Sequence, residues 1–179
     1  MNYQTEAKQV IATELSAIQA LQTRIDDNFD TACQLIQQCK GRVIVLGIGK
    51  SGHIGHKIAA TFSSTGTPAM FVHAAEASHG DFGMITQQDV ILALSYSGTT
   101  PEVVSLLPLV EKLSVPLISL TGNRQSPLAT KATCYLDISV DKEACPLNLA
   151  PTASTTATLV MGDALSIALL VARGFTEQD

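Results

Sequence analysis

Apolar residues recur three and four positions apart through the first part of the chain. The pattern is carried by Val10, Ile11, Leu15, Ile18, Leu21 and Ile25, and then by Ala32, Leu35 and Ile36. This spacing places an apolar stripe along one side of a helix. It predicts two helices between residues 3 and 39, so that residues 1–40 form an N-terminal helical segment.

Five short apolar runs follow, at residues 43–46, 69–72, 90–94, 116–120 and 135–138. Continuous apolar runs of this length are typical of strands buried on both faces of a parallel sheet. The segments between them are long enough for crossover helices, and a last helix is predicted over residues 154–172, with Gly174 near its end. The chain is therefore predicted to be a single α/β domain of residues 1–179, a doubly wound open sheet of about five parallel strands flanked by helices.

Ligands of such a sheet bind beyond the carboxyl ends of its strands. The candidate loops are therefore residues 47–52, 73–80, 95–100 and 121–126. The first of these, GIGKSG, has the spacing of a dinucleotide-binding glycine loop, and that alternative stays open. A dinucleotide-binding site has an acidic residue at the end of the second strand, which binds a ribose. Here His73 occupies that end, and Glu76 follows three residues later. A nucleotide-hydrolase phosphate loop is excluded, because it requires a glycine where this chain has Ile44.

The loop SYSGTT at residues 95–100 carries four hydroxyl side chains, on Ser95, Ser97, Thr99 and Thr100. It follows a predicted buried strand and precedes a predicted helix, whose free N–H groups attract anions. Gly98 lets the backbone approach a ligand closely. An ordinary helix cap needs only one hydroxyl, so four of them favour a phosphate site.

Charge and composition exclude several classes of function. The net charge of −5 argues against broad binding to nucleic acid, yet allows a small positive pocket for one phosphate. Residues 1–40 hold three basic residues against five acidic ones, the wrong balance for a DNA-recognition helix. The N-terminus lacks the apolar core of a signal peptide, and no apolar run is expected to reach membrane-spanning length. We therefore predict a cytoplasmic protein with no membrane partner.

The four cysteines, Cys33, Cys39, Cys134 and Cys145, have neither the paired spacing of a zinc site nor the density of a disulfide scaffold. Free cysteine behaves as a small apolar residue in protein interiors. The four are predicted to be reduced and mostly buried thiols.

Three stretches, GIGKSGHIG, SYSGTTPE and KEACPLNLAPTASTTATLVMGDAL, resemble those of the arabinose-5-phosphate isomerases of the sugar-isomerase (SIS) superfamily. The resemblance spans nearly the whole chain. It implies the flavodoxin-like SIS fold and interconversion of D-ribulose 5-phosphate and D-arabinose 5-phosphate through an enediol, for lipopolysaccharide synthesis. It also implies a small phosphosugar as substrate, no required organic cofactor, and a homotetramer.

The resemblance further implies roles for individual residues. The catalytic set maps to Lys50, Glu102 and Glu143, with the lysine steadying the enediolate and the carboxylates carrying protons. The substrate contacts map to Ser51, Gly66, Thr67, His79, Ser95, Ser97, Thr99 and Thr100. His73 matches a zinc ligand of the family, but His73 and His79 alone supply no complete coordination shell, so zinc is expected to be adventitious or inhibitory. His53 and His56 are predicted to be structural residues of the first crossover helix.

Full-length relatives continue into a Ser-His-Pro-Gly-Gly stretch, whose histidine is a proposed base, and then into paired cystathionine-synthase-type modules. This sequence stops before both. We therefore expect an excised SIS domain that binds phosphosugar and isomerises it weakly or not at all. The rival function from another class is a noncatalytic phosphosugar sensor.

Overall fold

The structure is a computed structural model, and it describes residues 2–174 and residue 176. Its strands are β1 (Val43–Gly47), β2 (Ala69–His73), β3 (Val90–Leu94), β4 (Leu117–Thr121) and β5 (Cys134–Asp137). Its α-helices are α1 (Tyr3–Gln22), α2 (Asp27–Gln38), α3 (Gly49–Ser64), α4 (Ala74–Ser78), α5 (Pro101–Val104), α6 (Leu107–Leu113), α7 (Pro127–Lys131) and α8 (Ala153–Arg173). A short 3₁₀ helix spans Asp81–Met84. The two N-terminal helices, the five strands and the final helix are confirmed within one or two residues.

The five strands form one parallel sheet in the order β2-β1-β3-β4-β5. The chain moves outward from β1 to β2 and then returns to the other side of β1 with β3. The strand order therefore reverses between β1 and β3, which opens a crevice at the carboxyl edge of the sheet. The predicted doubly wound α/β architecture is confirmed.

Side chains that alternate along β1 to β4 enter two separate apolar clusters. In β1, Val43 and Val45 join one cluster, whereas Ile44 and Leu46 join the other on the opposite face. All five positions of β1 are buried, because helices cover both faces of the sheet. This double coverage is why the strands appear in the sequence as continuous apolar runs.

The final helix, α8, is a packed helix of the core. It contacts α3, α1 and α2, and its buried face repeats every four residues through Ala157, Met161, Leu165 and Leu169. A Cβ atom at Gly162 would lie 2.5 Å from the side chain of Ile58 in α3, so the glycine allows these two helices to meet closely. By length and composition alone α8 is also long and apolar enough to cross a membrane, so the sequence prediction that no segment reaches that length is wrong.

Candidate active site

The loop after β1 brings Lys50 and Ser51 to the crevice. A Cβ atom at Gly47 would lie 3.1 Å from the backbone of Ser51, so the strand turns into α3 without room for a larger residue. Ile48 precedes the helix and makes no side-chain cap hydrogen bond. The α3 N-terminus therefore meets the crevice without a capping side chain, a favourable setting for an anion.

The hydroxyls of the loop after β3 divide into two pairs. Ser95 Oγ and Thr100 Oγ1 are 2.7 Å apart, and Gly98 N donates to Ser95 Oγ at 3.1 Å. Thr99 donates to Ser97 Oγ from its backbone N at 3.2 Å and from its hydroxyl at 3.1 Å. Ser95 is buried and holds the loop together, whereas Ser97 and Thr99 are less enclosed and available to a ligand.

The helix that follows this loop is shorter than the sequence suggests. It contains four residues, Pro101–Val104, and then breaks before α6. Pro101 has no N–H, and a four-residue helix has a small dipole. The helix-dipole part of the phosphate prediction is therefore weak here, and the hydroxyls and loop amides remain as the donors. Glu102 is half-buried in the first turn of this helix, where the sequence places it.

A cavity of about 400 Å³ lies between the loop after β1, the loop after β5 and the start of α8. Lys50, Ser51 and Glu143 line it together. Hydroxyls of α8 form another part of its wall, and they belong to Ser154, Thr155 and Thr158. The cavity thus brings a cation, a carboxylate and several hydrogen-bonding groups to one place.

Glu143 is held by the first turn of α8. Its Oε2 accepts hydrogen bonds from Thr152 N at 2.7 Å, Thr152 Oγ1 at 3.0 Å and Ser154 N at 3.2 Å. Partial burial raises the pKa of this carboxyl, but the hydrogen bonds from Ser154 and Thr152 together outweigh burial and lower the pKa. Glu143 is therefore ionised at neutral pH.

Tyr96 joins the loop after β3 to the segment after β5. Its hydroxyl accepts from Val140 N at 3.2 Å and is 3.4 Å from Val140 O, while its backbone O accepts from Gly122 N at 2.9 Å. A Cβ atom at Gly122 would lie 2.7 Å from the tyrosine ring, so the ring fits closely against that glycine. Tyr96 also lines the cavity, and it therefore fixes the distance between two of its walls.

A family model described as SIS domain matches residues 35–168, three quarters of the chain. The chain belongs to the SIS domain family. It is 63% identical over 173 residues to arabinose 5-phosphate isomerase KdsD of Pseudomonas aeruginosa, covering 97% of this chain and 53% of that relative. It is 55% identical over 178 residues to arabinose 5-phosphate isomerase KdsD of Escherichia coli K12, covering 99% of this chain and 54% of that relative. This SIS domain thus spans about half the length of the curated relatives it matches.

The SIS domain also matches a solved structure, that of E. coli CFT073 c3406 in complex with arabinose 5-phosphate. The TM-score is 0.96 at 41% sequence identity, and the match covers 100% of this chain and 97% of the other. The likeness therefore includes the sheet, the crevice and the N-terminal helices.

The SIS domain places the remaining predicted residues at two different edges of the sheet. His73 pairs with Gly47 at the carboxyl edge, and its buried Nδ1 atom has no hydrogen-bond partner among the described residues. His79 is exposed at the end of α4.

Gly66 and Thr67 precede β2 and therefore lie at the amino edge of the sheet. They do not line the cavity, which is at the carboxyl edge. His53 and His56 lie on α3, as predicted.

Two groups of residues that line the cavity of the SIS domain were not predicted from the sequence. One is Tyr96 with Lys142, and the other is the hydroxyl face at the start of α8. The run TASTTAT after Pro151 was the available signal for the second group, since it places hydroxyls at helical spacing. The contact of Tyr96 with Val140 had no such signal, because 44 residues separate the two.

The cysteines of the SIS domain are free thiols that differ in expected reactivity. Burial raises the pKa of Cys33 and Cys134 to about 11, with a smaller contribution from Asp30 and Asp26 respectively. The pKa of Cys145 is lowered by backbone N–H groups that follow it, first that of Ala150. Only Cys134 is fully buried, so the prediction of mostly buried thiols holds for one of the four.

We expect iodoacetamide at pH 8 to alkylate Cys145 first, because the thiolate is the reactive form. Its rate should exceed those of Cys33 and Cys134 by about tenfold or more, because its larger thiolate fraction outweighs the lower nucleophilicity of a less basic thiolate. Peptide mass spectrometry over time measures all three rates. The fast phase should disappear in Cys145→Ser, and equal labelling of Cys33 in the native protein would contradict the assignment.

Proposed function

We propose that this SIS domain is the sugar-binding and catalytic domain of an aldose-ketose isomerase that interconverts D-ribulose 5-phosphate and D-arabinose 5-phosphate. The observation that carries the proposal is the match along the whole chain to the c3406 structure in complex with arabinose 5-phosphate. The 63% identity to arabinose 5-phosphate isomerase KdsD supports the same activity. A noncatalytic sensor is not favoured, because the curated relatives are named as isomerases.

The phosphate would bind where the loops after β1 and β3 meet at the carboxyl edge. Ser97 and Thr99 offer accessible hydroxyls there, and Ser51 lies in the first turn of α3. Ser95 and Thr100 would hold the loop through their mutual hydrogen bond. One phosphate in a small, locally positive pocket is consistent with a chain of net charge −5.

The isomerisation moves one proton between adjacent carbons through an enediol and a second proton between their oxygens. In this proposal Glu143 and Glu102 carry protons, and the Lys50 ammonium stabilises the developing enediolate oxygen. Glu143 meets the first requirement of a base, since its lowered pKa keeps it ionised. Lys50 lines the same cavity as Glu143, so its ammonium would lie near the same bound sugar.

The proposal includes no organic cofactor and no catalytic zinc. Among residues 2–174 and residue 176, no group of three or more His, Cys, Asp or Glu side chains is arranged to hold a metal ion. His73 therefore belongs to no such group within the described part of the chain, and no step is assigned to a metal. We further propose a cytoplasmic homotetramer that acts in lipopolysaccharide synthesis and binds neither nucleic acid nor a membrane.

The test is calorimetric titration with arabinose 5-phosphate. We expect Ser97→Ala to weaken binding by about 1–3 kcal/mol, the usual effect of losing a hydrogen bond to a charged group. Ser63→Ala is the matched control, because Ser63 lies near the end of α3 away from the crevice and donates to Ala69 O.

Two further titrations separate the alternatives. Unphosphorylated arabinose should bind far more weakly than its 5-phosphate, and NAD should not bind. Unchanged affinity in both Ser97→Ala and Thr100→Ala would show that the phosphate does not bind to this loop. Binding of ribulose 5-phosphate without any turnover by a longer protein that contains this chain would favour a sensor.

A further inference from the structure

The side chain of Thr152 joins the two ends of the loop between β5 and α8. Its hydroxyl donates to Glu143 Oε2 at 3.0 Å and accepts from Ala144 N at 2.8 Å. Its backbone N donates to the same carboxylate oxygen at 2.7 Å. One threonine thus fixes both the carboxylate of Glu143 and the backbone that follows it.

An ordinary helix-capping role does not account for this arrangement. Thr152 precedes the first residue of α8, yet its hydroxyl makes no cap hydrogen bond to the helix. The carboxylate of Glu143, nine residues before Thr152, accepts from Ser154 N instead. The hydroxyl of a simple N-cap would accept from the second or third residue of the helix, whereas this one is turned toward the loop.

The loop closed by this contact forms a wall of the cavity. Asn148 lies inside the loop with a φ of 53°, accepts from Glu143 N at 3.1 Å through Oδ1, and donates from its own N to Cys145 O at 2.8 Å. Asn148, Leu149 and Pro151 line the cavity. The wall and the carboxylate therefore depend on the same set of hydrogen bonds.

We propose that Thr152 is a positioning residue that holds the Glu143 carboxylate in one orientation toward a sugar bound in the cavity. Three donors converge on Oε2, and the Ser154 side chain also hydrogen-bonds to the carboxylate. A carboxylate fixed at one oxygen approaches its ligand without first losing rotamer freedom. The link to turnover rests on the proposed isomerase function, whereas the link to the carboxylate does not.

Other charged groups also face this carboxylate. Lys50, Asp141 and Lys142 line the cavity, and Glu6 and Cys145 line a second cavity on the α1 side. Lys50 lies on α3 and Glu6 on α1, so neither belongs to the loop that the threonine closes, whereas Cys145 does. Thr152→Ser keeps the hydroxyl, so a titration shift that appears only in variants without it reports the loss of the hydroxyl.

The experiment compares Thr152→Val with Thr152→Ser by ¹³C NMR titration of the Glu143 side-chain carboxyl, assigned from the spectrum of Glu143→Gln. The valine variant removes this hydroxyl donor, so the pKa of Glu143 should rise. The serine variant keeps the hydroxyl and should titrate as the native protein does. Thr156→Val is the matched control, because that hydroxyl, one turn further along α8, bonds to Glu14.

Turnover of ribulose 5-phosphate by the longer protein that contains this chain gives the second readout. Thr152→Val should lower kcat by about 10- to 10²-fold with little change in KM, and the acidic limb of the rate profile should move to higher pH. If the valine variant does not fold by circular dichroism, Thr152→Ala removes the same hydroxyl for both readouts.

The outcomes separate the two proposals. A pKa of Glu143 that is unchanged in a folded variant lacking the hydroxyl overturns the positioning role, whatever the enzyme activity. Absence of turnover by the longer protein that contains this chain, together with the expected pKa shift, overturns the isomerase function alone. A shift that also appears in Thr156→Val would make the effect a general one of α8, and it would overturn the specific role of Thr152.

Discussion

Gly98→Ala is expected to lower the free energy of unfolding by about 2–5 kcal/mol and to weaken phosphosugar binding by about tenfold or more. Gly98 has a φ of 67°, in the left-handed region that residues with a Cβ atom rarely adopt. An added Cβ atom would lie 2.0 Å from Ser126 Oγ and 2.9 Å from Thr121 Oγ1. Backbone strain and a steric clash therefore act together.

The clash would also reach the neighbouring loop. Ser126 caps α7 by accepting from Ala129 N at 3.2 Å, and Leu128 N donates to Gly98 O at 3.2 Å. Moving Ser126 aside would break the cap, and moving Gly98 would distort the loop that carries Ser97 and Thr99. The loops after β3 and β4 are therefore both affected by one methyl group.

Gly174→Ala is the matched control for this prediction. Gly174 has a φ of 64°, but an added Cβ atom meets no other atom within 4 Å among the described residues. Gly174→Ala should therefore add backbone strain alone, which lowers the free energy of unfolding by about 1 kcal/mol and leaves the ligand affinity unchanged. Urea unfolding and calorimetry measure both effects. Equal destabilisation of the two variants would show that contact with Ser126 contributes nothing.

In the longer protein that contains this chain, Glu143→Gln is expected to reduce turnover by about 10²- to 10⁴-fold while the affinity for the phosphate group changes little. The amide has nearly the same shape, and its oxygen is still able to accept from Thr152 N. The amide neither accepts nor releases a proton at neutral pH. The substitution also removes the negative charge at the start of α8. Losing that charge should cost about 1 kcal/mol of stability, which leaves the protein folded.

Glu111→Gln is the control for the loss of a carboxylate. Glu111 is exposed on α6 and pairs with Lys131 at 3.4 Å, so its replacement should leave turnover unchanged. Initial rates with ribulose 5-phosphate, together with calorimetric binding of arabinose 5-phosphate, distinguish the steps. Loss of binding with unaltered turnover in Glu143→Gln would make this residue a substrate clamp.

The positions of the strands and of the candidate loops could be predicted from the sequence. The central strands β1, β3 and β4 are buried along their whole length because helices cover both faces of the sheet, as the alternation of Val43 and Ile44 between two clusters shows. The carboxyl ends of parallel strands share one edge, so the loops containing Lys50 and Ser97 were assigned to the same end of the fold. The role of Glu143 came from family resemblance, since the pattern around it is only that of a loop.

Contacts between distant segments were decided only by the tertiary structure. The hydrogen bonds of Tyr96 to Val140 and the fit of Gly98 against Ser126 join loops that follow different strands. Local periodicity carries no information about such pairs, because it reports which face of an element is buried and not which loops meet.

The same reason explains where the structure places residues differently from the expectation. Apolar spacing does not measure the length of α5, which ends after four residues, so the helix dipole was overestimated. Gly66 and Thr67 were grouped with the substrate contacts by resemblance, but they precede β2 and lie at the amino edge of the sheet. Apolar pattern determined the sheet and the edge where its ligand would bind. The side chains that meet there were determined by how the loops pack against α8, since the hydrogen bonds that fix them form only when the core brings their partners within reach.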